Sequence, residues 1–340
     1  MTEYFQIPFK TFKISLDYAK PSQKALLSAK KYGFLPYMVE RYIKMFDSLE
    51  EVEALLKMTG RGLPKSIRCN TLKINCDKLK ERLESKNVEL REIYWFKKGF
   101  YVLKGSEKVG YLHEHLFGYY FIQDASSMIP PLELNPSPTD IVLDMCAAPG
   151  GKTTHLAELM RNEGVIVAIE LNRERMKTLR SNISRMGVSN TILIRTDARK
   201  ISVLKEKFSK ILLDAPCTGE GLLPIDPTRK MKTKLEDLYR MALRQIELIK
   251  AAIEALAPGG ELVYSTCSIA PEENEFVINE ALNMFDNIKL GKLSVIPNFG
   301  DKGFTEVFGI RLNSDISKCY RVFPHKHEMA GFFICKIVKT

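Results

Sequence analysis

Short apolar segments alternate with helical segments between residues 141 and 266, and this alternation constrains the fold more than any other feature. At its start, the apolar segment Ile141–Asp144 leads into a small glycine-containing loop at residues 146–151 and then into a helical pattern. A buried strand, a tight loop and a helix N-terminus in this order direct backbone N–H groups toward a nucleotide-like ligand. Continuous apolar strands joined by helices predict a parallel sheet that is covered by helices on both faces.

The same pattern, followed to the end of the chain, predicts a mostly parallel seven-stranded sheet. Five parallel strands are expected at residues 141–144, 165–169, 191–194, 211–213 and 261–264. Helices are expected at residues 153–161, 173–186 and 235–256, and the Pro-Gly-Gly segment at 258–260 ends the last of them. Two further strands, at residues 320–323 and 331–338, are expected to join in antiparallel orientation. The predicted fold class is α/β, of the class I or Rossmann-like type.

The chain divides into three predicted parts: a helical region at residues 1–64, a small module at 65–120 and the α/β domain at 121–340. The module follows the order strand, helix, strand, strand, with Gly99 in the last turn and predicted bounds of 66–73, 76–87, 89–96 and 100–103. This order is typical of a ferredoxin-like or RNA-recognition α+β module. In the first part, Ser48 followed by carboxylates marks the beginning of a helix.

Positive charge is concentrated ahead of the α/β domain. The net charge is +10, and the three parts carry +3, +5 and +2 in chain order. A basic region suggests a polyanion such as RNA or DNA, although a solvated Lys/Glu surface would give the same charge. The module also interleaves aromatic residues with lysines, which suits base stacking with phosphate contact: Tyr94, Trp95, Phe96, Phe100 and Tyr101 with Lys97, Lys98 and Lys104. The alternative is that these aromatics form the core of the module.

Composition narrows the class of protein further. Apolar residues make up 45% and charged residues 27%, which is typical of a globular chain, and no apolar run is long enough to span a membrane. The first residues lack the apolar core of a secretory signal, so we expect a cytoplasmic protein. None of the seven cysteines forms a C-x-x-C pair, so a metal site is not expected. Their odd number argues against a disulfide framework.

The predicted parallel strands end in residues that can bind a ligand, and ligands of open α/β sheets lie at these carboxyl ends. Glu170, after the second strand, can accept hydrogen bonds from both ribose hydroxyls of an adenosine, and Asp197, after the third, can bind an adenine amino group. The Gly-Gly-Lys-Thr segment from Gly150 resembles the end of a P-loop. Cys146 stands where that motif requires a glycine, so a nucleotidase is the weaker alternative.

Two cysteines, Cys217 and Cys267, follow the fourth and fifth strands and are expected to face one cleft. A thiolate can add to C6 of cytosine, which makes C5 nucleophilic toward an electrophilic methyl group. Asp214 beside the cleft could hydrogen-bond the N3/N4 edge of the base, and Lys152 could orient the base or neutralise developing charge. A strand-end cysteine taken alone is more often structural, and the residues by themselves do not assign different roles to the two cysteines.

Several segments of this chain resemble the signature motifs of the Sun (Nop/Fmu, RsmB-like) family of RNA 5-methylcytosine methyltransferases. They are Asp-Met-Cys-Ala-Ala-Pro-Gly-Gly-Lys-Thr at 144–153, Asp-Ala-Pro-Cys-Thr-Gly at 214–219 and Ser-Thr-Cys-Ser at 265–268. The resemblance extends to Ile-Arg-Cys-Asn-Thr-Leu-Lys at 67–73, Gln-Asp-Ala-Ser-Ser at 123–127, Arg-Val-Phe-Pro-His at 321–325 and Gly-Phe-Phe at 331–333. It covers about residues 65–340 and implies a class I methyltransferase domain.

The resemblance implies that S-adenosylmethionine is the cofactor and gives each site residue an expected role. The cofactor would be bound by Cys146, Ala147, Ala148, Pro149, Gly150, Gly151, Lys152, Glu170, Arg175, Asp197 and Asp214. The nucleophile would be Cys267, and Cys217 would assist release of the methylated product. Asp214 and Lys152 are the further candidate catalytic residues, and no metal is implied.

The resemblance also suggests the substrate. The compact layout is similar to that of archaeal members that act on tRNA, so tRNA is favoured, with rRNA as the alternative. Because the chain ends soon after the last predicted strand, we expect no additional C-terminal RNA-binding domain. A monomeric enzyme is expected as well. Substrate choice would then depend on residues 1–120 and on loops. The competing hypothesis is a non-catalytic RNA-binding or ribosome-assembly protein that keeps the fold.

Overall fold

A computed structural model of the chain describes residues 20–46, 48–204 and 206–340. Its helices are α1 (Gln23–Tyr32), α2 (Pro36–Met45), α3 (Leu49–Met58), α4 (Cys76–Glu84), α5 (His113–Leu116), α6 (Ile129–Leu134), α7 (Gly151–Leu159), α8 (Arg173–Met186), α9 (Arg229–Lys232), α10 (Leu235–Ala255), α11 (Glu275–Met284) and α12 (Pro324–His327). Residues 1–19 of the predicted N-terminal helical region lie outside the described residues. In the part that the structure describes, no helix has both the length and the apolar character needed to cross a membrane.

The strands are β1 (Ser66–Cys69), β2 (Glu89–Ile93), β3 (Phe96–Lys104), β4 (Tyr120–Ile122), β5 (Ile141–Asp144), β6 (Val165–Ile169), β7 (Thr191–Ile194), β8 (Phe208–Asp214), β9 (Leu256–Thr266), β10 (Ile288–Leu290), β11 (Asp301–Lys302), β12 (Glu306–Val307), β13 (Ile310–Arg311), β14 (Tyr320–Val322) and β15 (Phe332–Lys339). The bounds of β5, β6, β7 and α8 agree with the expected ranges residue for residue. The helix α10 ends one residue early, and β8 and β9 are longer than expected.

The large sheet has the order β11-β14-β15-β9-β8-β5-β6-β7, with β10 paired to the end of β15. Strands β9, β8, β5, β6 and β7 are parallel, whereas β15 and β14 run antiparallel. This confirms the predicted α/β fold and its seven main strands, and β10 and β11 are short additions. Central strands are apolar on both faces because Leu143 packs on the α10 side while Val142 packs on the side of α6 and α7.

The module folds into an antiparallel sheet of order β2-β3-β1-β4, with α4 between β1 and β2, as in ferredoxin-like modules. The turn between β2 and β3 is at residues 94–95, so the prediction that Gly99 forms this turn is wrong. Gly99 lies inside β3 opposite Arg68. A Cβ atom there would be 2.8 Å from Cδ1 of Ile93 and 3.1 Å from Sδ of Met128, so the close packing requires glycine.

Both faces of the module sheet are covered, which decides between the two interpretations of its aromatic residues. Phe100 packs under α4, and Phe96 and Tyr101 pack against the α/β domain. All three are buried, so for them the core alternative is correct and base stacking is not available. Trp95 stacks on Phe299 at a ring separation of 5.2 Å, and Tyr94 is 73% exposed. The α/β domain therefore covers the face of the module's sheet that would be exposed in an isolated RNA-recognition module.

The N-terminal helices α1, α2 and α3 pack on the α/β domain rather than on the module. Their apolar residues share one core with Leu223, Ile269 and Phe323, which lie in or near the loops at the sheet edge. As predicted, Ser48 caps α3, and its hydroxyl accepts hydrogen bonds from the N–H groups of Glu50 and Glu51. This region therefore contacts the loops that follow the cysteine-bearing strands.

The expectation of unpaired cysteines is wrong at one pair. Cys319 and Cys335 form a disulfide, with Cα atoms 4.4 Å apart. They meet because β14 and β15 pair in the register Tyr320 to Ile334, which brings the two flanking residues together. The other five cysteines are free. A strand register of this kind is not visible in cysteine spacing alone.

Candidate active site

The carboxyl ends of the parallel strands open onto a cavity of about 690 Å³. Eight of the residues singled out from the sequence line it: Cys146, Ala148, Glu170, Arg175, Asp197, Asp214, Cys217 and Cys267. A second cavity of about 190 Å³ adjoins it, and Cys146, Ala148 and Asp214 line both. Lys152 lines only the smaller one, together with Phe121 of β4 and Gln123, which follows β4. Gly150 lines neither cavity.

The glycine loop is held by the two helices beside it. Gly150 has a φ of +105°, which favours glycine, and α7 begins at the next residue. From α8, the Arg175 guanidinium donates to the carbonyl of Ala148 at 2.6 Å, and Asn182 donates to the carbonyl of Pro149 at 2.8 Å. Arg175 therefore holds the loop by its backbone, while its Nη1 lies 3.6 Å from Glu170.

Asp144, the last residue of β5, is a buried carboxyl group with one unused oxygen. Its Oδ2 accepts a hydrogen bond from the Thr153 hydroxyl at 2.8 Å, whereas Oδ1 has no hydrogen-bond partner. Burial raises the pKa of Asp144 to about 7. Because Asp144 lines the smaller cavity, Oδ1 is available to a donor group of a ligand. In the sequence, Asp144 ends a predicted strand and begins the motif at 144–153, but it is not among the expected cofactor-binding or catalytic residues.

Asp214 is held from both sides at the junction of the two cavities. Its Oδ2 accepts a hydrogen bond from Lys152 Nζ at 2.7 Å, and its Oδ1 accepts one from the Ser265 hydroxyl at 2.8 Å. Lys152 Nζ also lies 5.6 Å from the ring centre of Phe332. The two predicted catalytic side chains thus form one ion pair, and their orientation is fixed by β9 and β15.

The two cysteines are adjacent. The Sγ atoms of Cys217 and Cys267 are 3.1 Å apart, although the residues follow different strands. The neighbouring Cys267 sulfur, together with burial, raises the pKa of the Cys217 thiol well above its ordinary value. A thiol with a raised pKa keeps its proton at neutral pH, so the pair can hold a proton beside a second sulfur atom.

A buried carboxyl group supports the loop that carries Cys217. Glu273 accepts hydrogen bonds from the Thr218 N–H at 2.8 Å, the Thr218 hydroxyl at 2.7 Å and Gln245 at 3.1 Å. Burial raises the pKa of Glu273 to about 7. No sequence motif assigns a role to Glu273, because nothing in a local pattern distinguishes a buried glutamate from a surface one.

The two carboxylates expected to bind an adenosine both line the larger cavity and already have partners. Glu170 is buried and accepts a hydrogen bond from the Asn172 N–H at 2.7 Å. Asp197 pairs with Arg199 at 2.6 Å, and this hydrogen bond lowers the pKa of Asp197. The lowered pKa keeps Asp197 an anionic hydrogen-bond acceptor at neutral pH. Among the described residues, no group of three or more His, Cys, Asp or Glu side chains could hold a metal ion.

Comparison with known proteins shows matches over nearly the whole chain. The family described as 16S rRNA methyltransferase RsmB/F matches residues 131–338, and the N-terminal domain of 16S rRNA methyltransferase RsmF matches residues 35–125. The chain is 39% identical over 303 residues to the tRNA (cytosine(49)-C(5))-methyltransferase of Pyrococcus abyssi, which covers 89% of this chain and 95% of that protein. A crystal structure of a methyltransferase homologue from Pyrococcus horikoshii has a TM-score of 0.84 and 40% identity, covering 94% of this chain and all of that one.

A second group of relatives is longer than this chain. The 28S rRNA (cytosine-C(5))-methyltransferase of Mus musculus is 38% identical over 328 residues, which covers 95% of this chain but 41% of that protein. Across four such relatives, the chain spans between 38% and 51% of their length. Similarity to these proteins therefore concerns one part of each of them.

Proposed function

The chain belongs to the 16S rRNA methyltransferase RsmB/F family, and we propose that it transfers a methyl group from S-adenosylmethionine to C5 of cytosine in RNA. The observation that carries this proposal is the pair of sulfur atoms 3.1 Å apart beside a cavity lined by carboxylates. A nucleotidase would need a phosphate-binding glycine at position 146, where this chain has cysteine.

The two adjoining cavities together fit S-adenosylmethionine in their chemistry. Glu170 would accept hydrogen bonds from the ribose hydroxyls, and Asp197 would accept one from the adenine amino group. The unpartnered Oδ1 of Asp144 would accept a donor from the amino acid part, beside the backbone of the glycine loop. When bound, the cofactor supplies an electrophilic methyl group.

We assign covalent catalysis to the two cysteines. The thiolate of Cys267 forms a bond to C6 of cytosine, and the C5–C6 electron pair makes C5 a nucleophile that takes the methyl group. Asp214, oriented by Lys152 and Ser265, hydrogen-bonds the N3/N4 edge and stabilises the adduct. In the release step, which Cys217 assists, a base takes the C5 proton, the C5–H electron pair re-forms the C5–C6 double bond, and the Sγ–C6 bond breaks with its electrons returning to sulfur.

For the substrate we propose tRNA, with rRNA as the second candidate. The relative that this chain covers almost completely from end to end is named as a tRNA methyltransferase, and the longer relatives are named for rRNA. The positive charge of the module would contribute to binding either RNA through phosphate contacts.

The test is methyl transfer from labelled S-adenosylmethionine to tRNA and rRNA, followed by bisulfite sequencing of the RNA. We expect new 5-methylcytosine at one or a few tRNA positions. Modification of rRNA alone would select the second substrate. If RNA binds with a steep salt dependence but gains no methyl group, the protein is a binding protein with this fold, and the proposed activity is wrong.

A further inference from the structure

A buried arginine in the N-terminal helices links the loops that follow the two cysteines. Arg41 of α2 is 1% exposed and lies between two buried carboxylates, Glu220 and Glu272. Its Nη1 donates to Glu220 at 2.9 Å, and its Nε and Nη2 donate to the two oxygens of Glu272 at 2.9 and 2.8 Å. The neighbouring Tyr42 hydroxyl donates to Glu220 at 2.7 Å. The guanidinium thus fixes both carboxylates with charge-assisted hydrogen bonds.

Each of these carboxylates belongs to a turn that contacts the opposite cysteine segment. Glu220 lies three residues after Cys217, and the next N–H, of Gly221, donates to the carbonyl of Cys267 at 3.0 Å. Glu272 lies five residues after Cys267, and the adjacent Glu273 accepts the hydrogen bond from the N–H that follows Cys217. A cation that fixes Glu220 and Glu272 therefore constrains both sulfur atoms through the backbone.

We infer that Arg41 is a positioning residue that aligns Cys217 and Cys267. The N-terminal helices then support catalysis, although they contain none of the motifs and line neither of the two cavities. That this alignment serves methyl transfer rests on the proposed function. That Arg41 aligns the two sulfur atoms does not depend on it. Arg321 has a similar buried pair with Glu275 and donates to the carbonyl of Ile269 at 2.9 Å, but both partners lie in the segment that follows Cys267.

The test measures sulfur alignment without RNA or cofactor. Phenylarsine oxide binds two thiols only when they are close, so its rate of capture reports the Cys217–Cys267 separation. The background is Cys76→Ser, because Cys76 is within hydrogen-bonding reach of Cys69 and would form a second close pair. The captured residues are identified by peptide mass spectrometry. In this background we expect Arg41→Met to slow capture by about 10- to 100-fold, because small displacements of paired groups have effects of this size.

The matched control is Glu40→Gln. Glu40 is the adjacent residue on α2 and is also buried, but it accepts hydrogen bonds from Ser22 and contacts neither loop. We expect capture at the rate of the background protein. In methyl-transfer assays, Arg41→Met should lower kcat while the Kd for S-adenosylmethionine stays unchanged, which a general loss of structure would not produce.

If Arg41→Met does not fold, as judged by circular dichroism, the variant that adds Glu220→Gln and Glu272→Gln also removes the two negative charges that Arg41 balances. It should fold and still show slow capture. If either folded variant captures phenylarsine oxide at the rate of the background protein, the inference is wrong. If capture slows as expected but the wild-type enzyme methylates no RNA, the alignment stands and the proposed function fails.

Discussion

Replacing Arg68 should separate the module from the α/β domain. Arg68 of β1 is fully buried, pairs with Glu158 of α7, donates to the Thr154 hydroxyl at 2.9 Å and donates to Gln123 at 3.2 Å. Breaking a buried ion pair costs about 3–5 kcal/mol. In Arg68→Met, Glu158 keeps a hydrogen bond from Thr71 at 2.7 Å. We therefore expect the free energy of unfolding to fall by about 3 kcal/mol, the lower end of this range.

The chain contains one tryptophan, Trp95, which lies at this interface against Phe299 and therefore reports undocking by fluorescence. A loss of 3 kcal/mol should lower the urea midpoint of this signal by about 1 M. The control is Arg82→Met within the module, where Lys86 still pairs with Glu114 at 2.6 Å, so we expect a loss below about 1 kcal/mol. Equal urea midpoints for the two variants would show that Arg68 does not hold the module on the α/β domain.

Three further predictions concern the cavity and the loops. In titration calorimetry, Glu170→Gln should weaken S-adenosylmethionine binding about 10- to 100-fold, whereas the control Glu174→Gln, at an exposed position on α8, should not weaken it. Equal affinities of the two variants would show that Glu170 does not bind the ribose. Burial raises the pKa of Asp144 to about 7, so the folded state favours the protonated carboxyl group. Its contribution to the free energy of unfolding is fully present below about pH 4 and is lost as the pH rises through 7. Asp144→Asn should therefore flatten stability between pH 5 and 8, and an unchanged pH profile would contradict this. Gly331→Ala should lower stability by about 1–3 kcal/mol in thermal unfolding, since its Cβ would lie 2.5 Å from Ile269 and 2.8 Å from Cα of Gly221; a wild-type Tm would be inconsistent with that contact.

The parts of the fold that depend on local pattern could be predicted from the sequence. Strands β5, β6 and β7 are short, mainly apolar runs with polar residues at or just after their carboxyl ends. The sequence therefore shows both where each strand lies and which residues stand at its carboxyl end. The topology rule for open α/β sheets then brings the tips together, and the structure indeed collects Glu170, Asp214 and Cys267 around one cavity.

What could not be predicted depends on contacts between distant parts of the chain. Arg41 meets Glu220 and Glu272 across 179 and 231 residues, and no periodicity marks such a pair. The aromatics of the module alternate in the same way whether their sheet face is free or docked, so only the structure shows that Tyr101 is buried. Strand register likewise decided the Cys319–Cys335 pairing.

In the proposed mechanism the two cysteines have different roles, and covalent trapping distinguishes them. The Cys217→Ala and Cys267→Ala proteins are incubated with tRNA and S-adenosylmethionine and resolved on a denaturing gel. We expect a protein–RNA adduct to accumulate with Cys217→Ala, because release is blocked, and neither adduct nor methyl transfer with Cys267→Ala. An adduct that forms with Cys267→Ala, or normal methyl transfer by that variant, would show that Cys267 is not the nucleophile.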